Sequence, residues 1–401
     1  GTLLVRYGLN VQSDQYVTLA GEVGHRELLR ILVEKCYRSG ARYVSVEIHD
    51  PHFLRSRIEH SHQDHLSYVP HWETAETEEL VELKGATLGL VGPEEPKVLE
   101  GLDPQKLNAV RVARYNSRKR FYQDGIDRGL VQWCVAAAPT ERWAELVFPE
   151  CSPEEALRSL WNELFAICRC DRSDFLDAWR SHRDVLMKRA QHLTSLKLQT
   201  LRFVGPGTDL SVGLSSHAKF LGGAEVSSSG VVFDANIPTE ECFTTPDWRK
   251  TEGKVVVTRP VLVNGTLVEG LKLEFREGQI VHFQANHGSD VFEALLSSDD
   301  GAKRLGEVAL VGVDSPIFRT GRIFQEILLD ENAACHIAIG SAYRTCLKAP
   351  ENQSEEAFFT SVGCNESSVH TDLMISSEAV DVVGIDSTGK VIPLLRQGQW
   401  V

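Results

Sequence analysis

The hydrophobic period of the chain changes near residue 200, and no other feature constrains its fold as strongly. Upstream, short apolar runs alternate with segments of helical spacing. Residues 16–19 read as a strand; Leu28, Leu29, Ile31, Leu32, Val33 and Cys36 then follow one helix face, and Gly40 stops it. Residues 43–48 alternate as a second strand, 72–83 read as a helix, and 86–91 as a third strand ending at Gly92-Pro93. Strands separated by helices predict a parallel sheet covered by helices. Residues 153–198 keep helical spacing, with Leu157, Leu160, Trp161, Leu164, Phe165 and Cys168 in one stripe. Downstream, the turn Gly205-Pro206-Gly207-Thr208-Asp209 introduces β-rich segments at 230–233, 254–258, 267–275 and 279–283, punctuated by Gly270 and by Glu277-Gly278. The expected architecture is an α/β N-terminal domain with a parallel sheet and a helical linker (1–198), then an α+β C-terminal domain with a mainly antiparallel sheet (199–401).

Composition narrows the function classes. A net charge of −14 disfavours nucleic acid and anionic membrane as partners, because both need clustered Lys and Arg. Apolar runs such as Ile31-Leu32-Val33 and Val255-Val256-Val257 are too short to span a bilayer, and no signal-peptide pattern opens the sequence. The nine cysteines are scattered, with Cys168 and Cys170 the one close pair, which suits a reducing, cytoplasmic compartment better than a disulfide framework.

Two concentrations of imidazole and carboxylate compete as sites. The first holds His49, His52, His60, His62, His65 and His71 with Asp50, Glu59 and Asp64. Pro51 and Pro70 interrupt it, so it reads as a solvated loop rather than a metal site. The second lies downstream. Pro238-Thr239-Glu240-Glu241 follows a strand-like Val231-Val232-Phe233, and Glu307 opens the apolar run Val308-Ala309-Leu310-Val311. Asp330-Glu331-Asn332-Ala333-Ala334-Cys335-His336 reads as the start of a helix, with Asp330 or Glu331 near its N-cap. Val369-His370-Thr371-Asp372-Leu373-Met374-Ile375 reads as a strand, on which His370 and Asp372 share one face. Such an inventory of acids and imidazoles at the ends of regular elements suits Zn²⁺, Co²⁺, Mn²⁺ or Mg²⁺.

These motifs, with Phe203-Val204-Gly205-Pro206-Gly207-Thr208-Asp209-Leu210, Asn236-Ile237-Pro238-Thr239-Glu240-Glu241-Cys242-Phe243-Thr244 and Asn365-Glu366-Ser367-Ser368-Val369-His370-Thr371-Asp372, run nearly end to end. The chain resembles the M29 family of metallo-aminopeptidases, the thermophilic aminopeptidase type. The resemblance implies two divalent metal ions per chain in the C-terminal domain, held by Glu241, Glu307, Glu331, His336, His370 and Asp372, with Glu307 bridging. It places Tyr343 in or against the metal shell; a helix continuing from His336 would keep the two on one face. Glu240, adjacent to a ligand, is the expected general base. The implied substrates are peptides with a free N-terminus, and the implied assembly is a homodimer. Two departures stand out: the 348–364 stretch, with Glu351, Glu355 and Glu356, is long for the family, and a few leading residues are absent. Two other readings compete. His336, His370 and Asp372 alone could form the iron triad of a ring-cleaving dioxygenase, and a non-catalytic metal-binding relative would keep the same ligands.

Overall fold

A computed structural model describes residues 1–350 and 352–401, so Glu351 lies outside the described residues. The chain divides into two compact units, one of Gly1–His182 with Ala224–Thr239 and one of Arg183–Gly223 with Glu240–Val401.

The first unit holds a five-stranded parallel sheet in the order Tyr43–His49, Tyr16–Glu22, Ala86–Val91, Gln132–Ala137, Asn236–Ile237. Its alternation is what the sequence predicts: Val17 and Leu19 are fully buried, and the helix Arg26–Arg38 turns Leu29, Leu32 and Cys36 inward. The fifth strand is two residues contributed from far along the chain, which no local pattern announces. The expected helical stretch is two helices, Pro153–Ile167 and Phe175–Ser195. The first opens with a capping box between Ser152 and Glu155 and a proline in its first turn.

The histidine-rich segment is solvated, yet it is not a loop. Asp50 caps the helix Pro51–His60 by accepting from the His52 N–H at 2.9 Å, and Pro51 supplies the preset φ of a first helical residue. Pro51 therefore starts an element rather than breaking one. The side chains of His49, His60 and His62 are 45%, 78% and 70% exposed, and no metal-compatible group among the described residues includes a histidine of this segment.

Among the described residues the second unit contains two large antiparallel sheets and a two-stranded ribbon, Val261–Val263 with Thr266–Val268. The larger has eight strands, built around the hairpin Leu198–Gly205 and Thr208–Leu214. Pro206-Gly207 turns that hairpin, with Gly207 at φ 74°. The residues 267–275, expected as β-rich with turn-forming residues at Val268-Glu269-Gly270, hold two strands, Thr266–Val268 and Lys272–Arg276, in different sheets. Gly270, at φ 63°, separates them.

The smaller sheet positions the chemistry. Its order is Cys242–Thr244, Leu305–Leu310, His336–Gly340, His370–Met374. Every residue of the two central strands is buried, so they read as near-continuous apolar runs with single charged exceptions. Their aliphatic side chains join a core with Leu201, Phe203, Val212, Phe275 and Phe292. No helix among the described residues is long and apolar enough to cross a membrane.

Candidate metal centre

The charged exceptions on the small sheet meet at one place. Glu307 lies on the Leu305–Leu310 strand, His336 opens the next, and His370 and Asp372 share one face of the last. Glu241 immediately precedes the first strand, and Glu331 ends the helix Ile327–Glu331. His336 Nε2 is 3.1 Å from Glu241 Oε2 and 3.9 Å from both Glu307 Oε1 and Asp372 Oδ1. His370 Nε2 is 3.3 Å from Glu307 Oε2 and 3.6 Å from Asp372 Oδ1. Two groups thus have donor atoms mutually within 4.8 Å, Glu241–Glu307–His336 and Glu307–His370–Asp372, and Glu307 belongs to both. Glu331 is buried against Asp372, Glu241 and Glu307.

The expected helix beginning near Asp330 is a correction. The helix Ile327–Glu331 ends there instead, Asn332 is its C-cap, and His336 sits on a strand. The β-branched Ile337 and Ile339 pair into the sheet opposite Leu373 and Thr371, which overrides the local helical reading. Tyr343 therefore does not reach the site along a helix. The strand ends at Gly340, and the following loop brings the Tyr343 ring to 5.1 Å from the His370 ring. The Phe243 ring also packs edge-on against Tyr343, at 5.4 Å. Glu240 is buried, and its N–H donates to Asn332 Oδ1 at 2.7 Å.

The imidazole orientations are informative. His336 Nδ1 lies 3.0 Å from the Glu331 carbonyl and 3.2 Å from that of Ala334; His370 Nδ1 lies 2.8 Å from the Ser341 carbonyl. A carbonyl only accepts, so Nδ1 carries the hydrogen in both rings and each Nε2 faces carboxylates. A lone pair directed at a carboxylate oxygen is repulsive unless a cation stands between them. Glu241 Oε2 makes the same point: it is buried and accepts no aligned hydrogen bond despite its 3.1 Å approach to His336. A buried oxygen of this kind is costly unless a cation satisfies it. Four carboxylates and two oriented imidazoles fit hard or borderline divalent ions.

Without metal, protons serve as the cations. Burial, reinforced by Glu241 and Asp372, raises Glu307 to about 7 despite the His370 contact. Burial, reinforced by Asp372, Glu241, Glu307 and Glu326, pushes Glu331 well above the usual carboxylate range. Burial opposes charge on His336, but Glu241 and the other carboxylates outweigh it and lift the ring to about 10. His370 rises well above its ordinary value by the same contest, mainly against Asp372. Burial opposes ionisation of Asp372, but His370 outweighs it and holds the group below its ordinary value. Burial and the acids push the Tyr343 phenol well above 10, so it is a neutral donor.

The signs have a testable consequence. A raised pKa means the folded, metal-free protein holds protons that its unfolded chain releases. His336 adds stability that is complete below about 6.5 and lost as pH rises through about 10. Glu307 acts with the same sign between about 4.5 and about 7. Metal must displace these protons, so affinity rises with pH. Calorimetric titration at pH 7 in buffers of differing ionisation enthalpy should report proton release on metal loading; heats independent of buffer would contradict this.

A buried nest of acids and oriented imidazoles on an antiparallel sheet, in a chain with a separate parallel α/β unit, defines a candidate metallohydrolase. The family profile described as thermophilic metalloprotease (M29) matches residues 1–400. Aminopeptidase T of Thermus thermophilus is 39% identical over 399 residues, covering 100% of this chain and 97% of the relative. Aminopeptidase PepS of Streptococcus thermophilus is 38% identical over 400 residues, covering 100% and 96%. The solved structure of wild-type AmpT from Thermus thermophilus superposes with a TM-score of 0.89 at 37% identity, covering 100% of this chain and 97% of that one. The chain belongs to the M29 thermophilic metalloprotease family.

Proposed function

We propose that this chain is a metal-dependent aminopeptidase that hydrolyses the N-terminal peptide bond of peptides. The carrying observation is the convergence of six donors, five buried and His370 partly so, with both Nε2 atoms turned toward carboxylates. Glu241, Glu307, Glu331, His336, His370 and Asp372 would hold two divalent ions, drawn from Zn²⁺, Co²⁺, Mn²⁺ or Mg²⁺, with Glu307 shared. When bound, such ions lower the pKa of water and polarise the scissile carbonyl. The reading keeps the chemistry in the C-terminal domain, expected over residues 199–401. Nine free cysteines support a reducing, cytoplasmic setting. The homodimer rests on family resemblance, and light scattering of the purified protein tests it.

The protein's own groups supply positioning and proton transfer. Glu240 takes a proton from the attacking water, whose oxygen adds to the carbonyl carbon, and delivers it to the leaving amine as the C–N bond breaks. Tyr343, neutral and beside His370, donates from its phenol to the oxyanion. Glu241, Glu307 and Glu331 crowd the same point as His336, His370 and Asp372, which is more carboxylate than a single-iron triad uses.

Glu240→Gln keeps shape and backbone contacts while removing the base. Turnover on an aminoacyl reporter should fall by roughly 10²–10⁴ with metal content unchanged. Unchanged turnover with full metal would end the general-base role.

A further inference from the structure

The six donors do not explain Asn332, a residue with no exposed surface that projects its amide between two of the site's segments. Its Oδ1 accepts from the Glu240 N–H at 2.7 Å. Its Nδ2 donates to Glu331 Oε1 at 3.2 Å and to the Leu328 carbonyl at 2.9 Å. The assignment of oxygen and nitrogen is forced, because one end faces a donor and the other faces two acceptors. Its own carbonyl accepts from the Ser315 hydroxyl at 2.7 Å, which fixes the backbone from outside the site.

We infer that Asn332 is a positioning residue that locks the carboxylate of Glu331 and the Glu240–Glu241 backbone into one metal-binding arrangement. This rests on the ligand reading proposed above. The geometry does two jobs through one amide. The Nδ2 hydrogen bond holds one Glu331 oxygen, restricting the rotation of a carboxylate that four neighbouring acids repel. The Oδ1 contact pins the peptide that sets both Glu240 and Glu241, whose segment otherwise reaches the small sheet only at Cys242. A donor and an acceptor are both needed, and a side chain of this length that offers both is Asn. The plain alternative is an ordinary helix cap, since the Leu328 carbonyl belongs to the last turn of Ile327–Glu331.

The two roles separate under Co²⁺ titration of the metal-free protein, followed by visible absorption and by ions bound per chain, with urea unfolding measured alongside. Asn332→Asp keeps an acceptor for the Glu240 N–H but turns an oxygen toward Glu331; Asn332→Ala removes both contacts. The inference expects both variants to lose roughly 10–100-fold in Co²⁺ affinity, as hydrogen-bond partners of ligands do, with an altered absorption band. Wild-type affinity and spectrum in the variants, with only a lowered urea midpoint, would reduce Asn332 to a helix cap and overturn the inference. If Asn332→Ala does not fold, Asn332→Asp decides alone. A wild-type chain that takes up no Co²⁺ overturns the ligand reading itself, and this inference with it.

Discussion

Glu307→Gln should abolish hydrolysis and, in the metal-free protein, leave stability unchanged or raised. The two carboxylate oxygens of Glu307 face different imidazoles, Oε1 toward His336 and Oε2 toward His370, and Glu307 is common to both donor groups. Glutamine is nearly isosteric, so packing survives. It removes one charge from a nest of buried acids and turns an amide nitrogen toward one Nε2. Loss of a single oriented electrostatic group at a reacting centre costs roughly 10²–10³ in turnover. A shared ligand affects both halves of the site, so the expected loss exceeds that range and reduces the metal held. The stability sign is opposite, because burial and neighbouring acids strain this carboxylate. Removing it relieves repulsion among the buried acids, which the metal-free protein offsets only in part by taking up protons. Reporter hydrolysis, metal analysis and urea unfolding of the metal-free variant measure all three. A variant with near wild-type turnover and full metal would show that Glu307 is no shared ligand.

Gly340→Ala should destabilise the fold strongly, right beside the site. Gly340 ends the central His336–Gly340 strand with φ 102°, pairs with His370, and donates from its N–H to the Arg304 carbonyl at 2.8 Å. A Cβ there would enter the Val369 carbonyl and press on the Val369 side chain. A left-handed backbone costs an L-residue about 1–2 kcal/mol, and forced overpacking about 1–3 kcal/mol more, for a sum of about 2–5 kcal/mol. Relief by moving Val369 would shift His370, its neighbour. Urea unfolding should therefore show the full destabilisation, and any folded fraction should bind less metal. A loss below about 0.5 kcal/mol, the ordinary surface range, would contradict the strain argument.

Much of this was legible in the sequence, for physical reasons that vary by residue. His370 and Asp372 were readable because a strand repeats every two residues. Glu307 was readable as a charge interrupting an apolar run. The long helix pair declared itself by its stripe and by the Ser152-Pro153 start. Other features were not local. His336 sits within a stretch of fair helix formers, and its strand exists because Ile337 and Ile339 pair with a segment over thirty positions later. Tyr343 reaches His370 through a loop whose course no periodicity encodes. The partners that orient both imidazoles are backbone carbonyls of Glu331, Ala334 and Ser341, which any sequence contains. The helix at Pro51–His60 did have a local signal, an Asp-Pro start, obscured by the density of histidines around it.

The central claim is that the buried acids and imidazoles grip two cations which the protein uses to release N-terminal residues. Metal content per chain, measured on the same preparation as amino-acid release from aminoacyl reporter peptides, tests it most directly. The account predicts two divalent ions per chain and stepwise N-terminal release that a chelator stops. One iron per chain with oxygen uptake, or two bound ions with no release from any reporter, would contradict it.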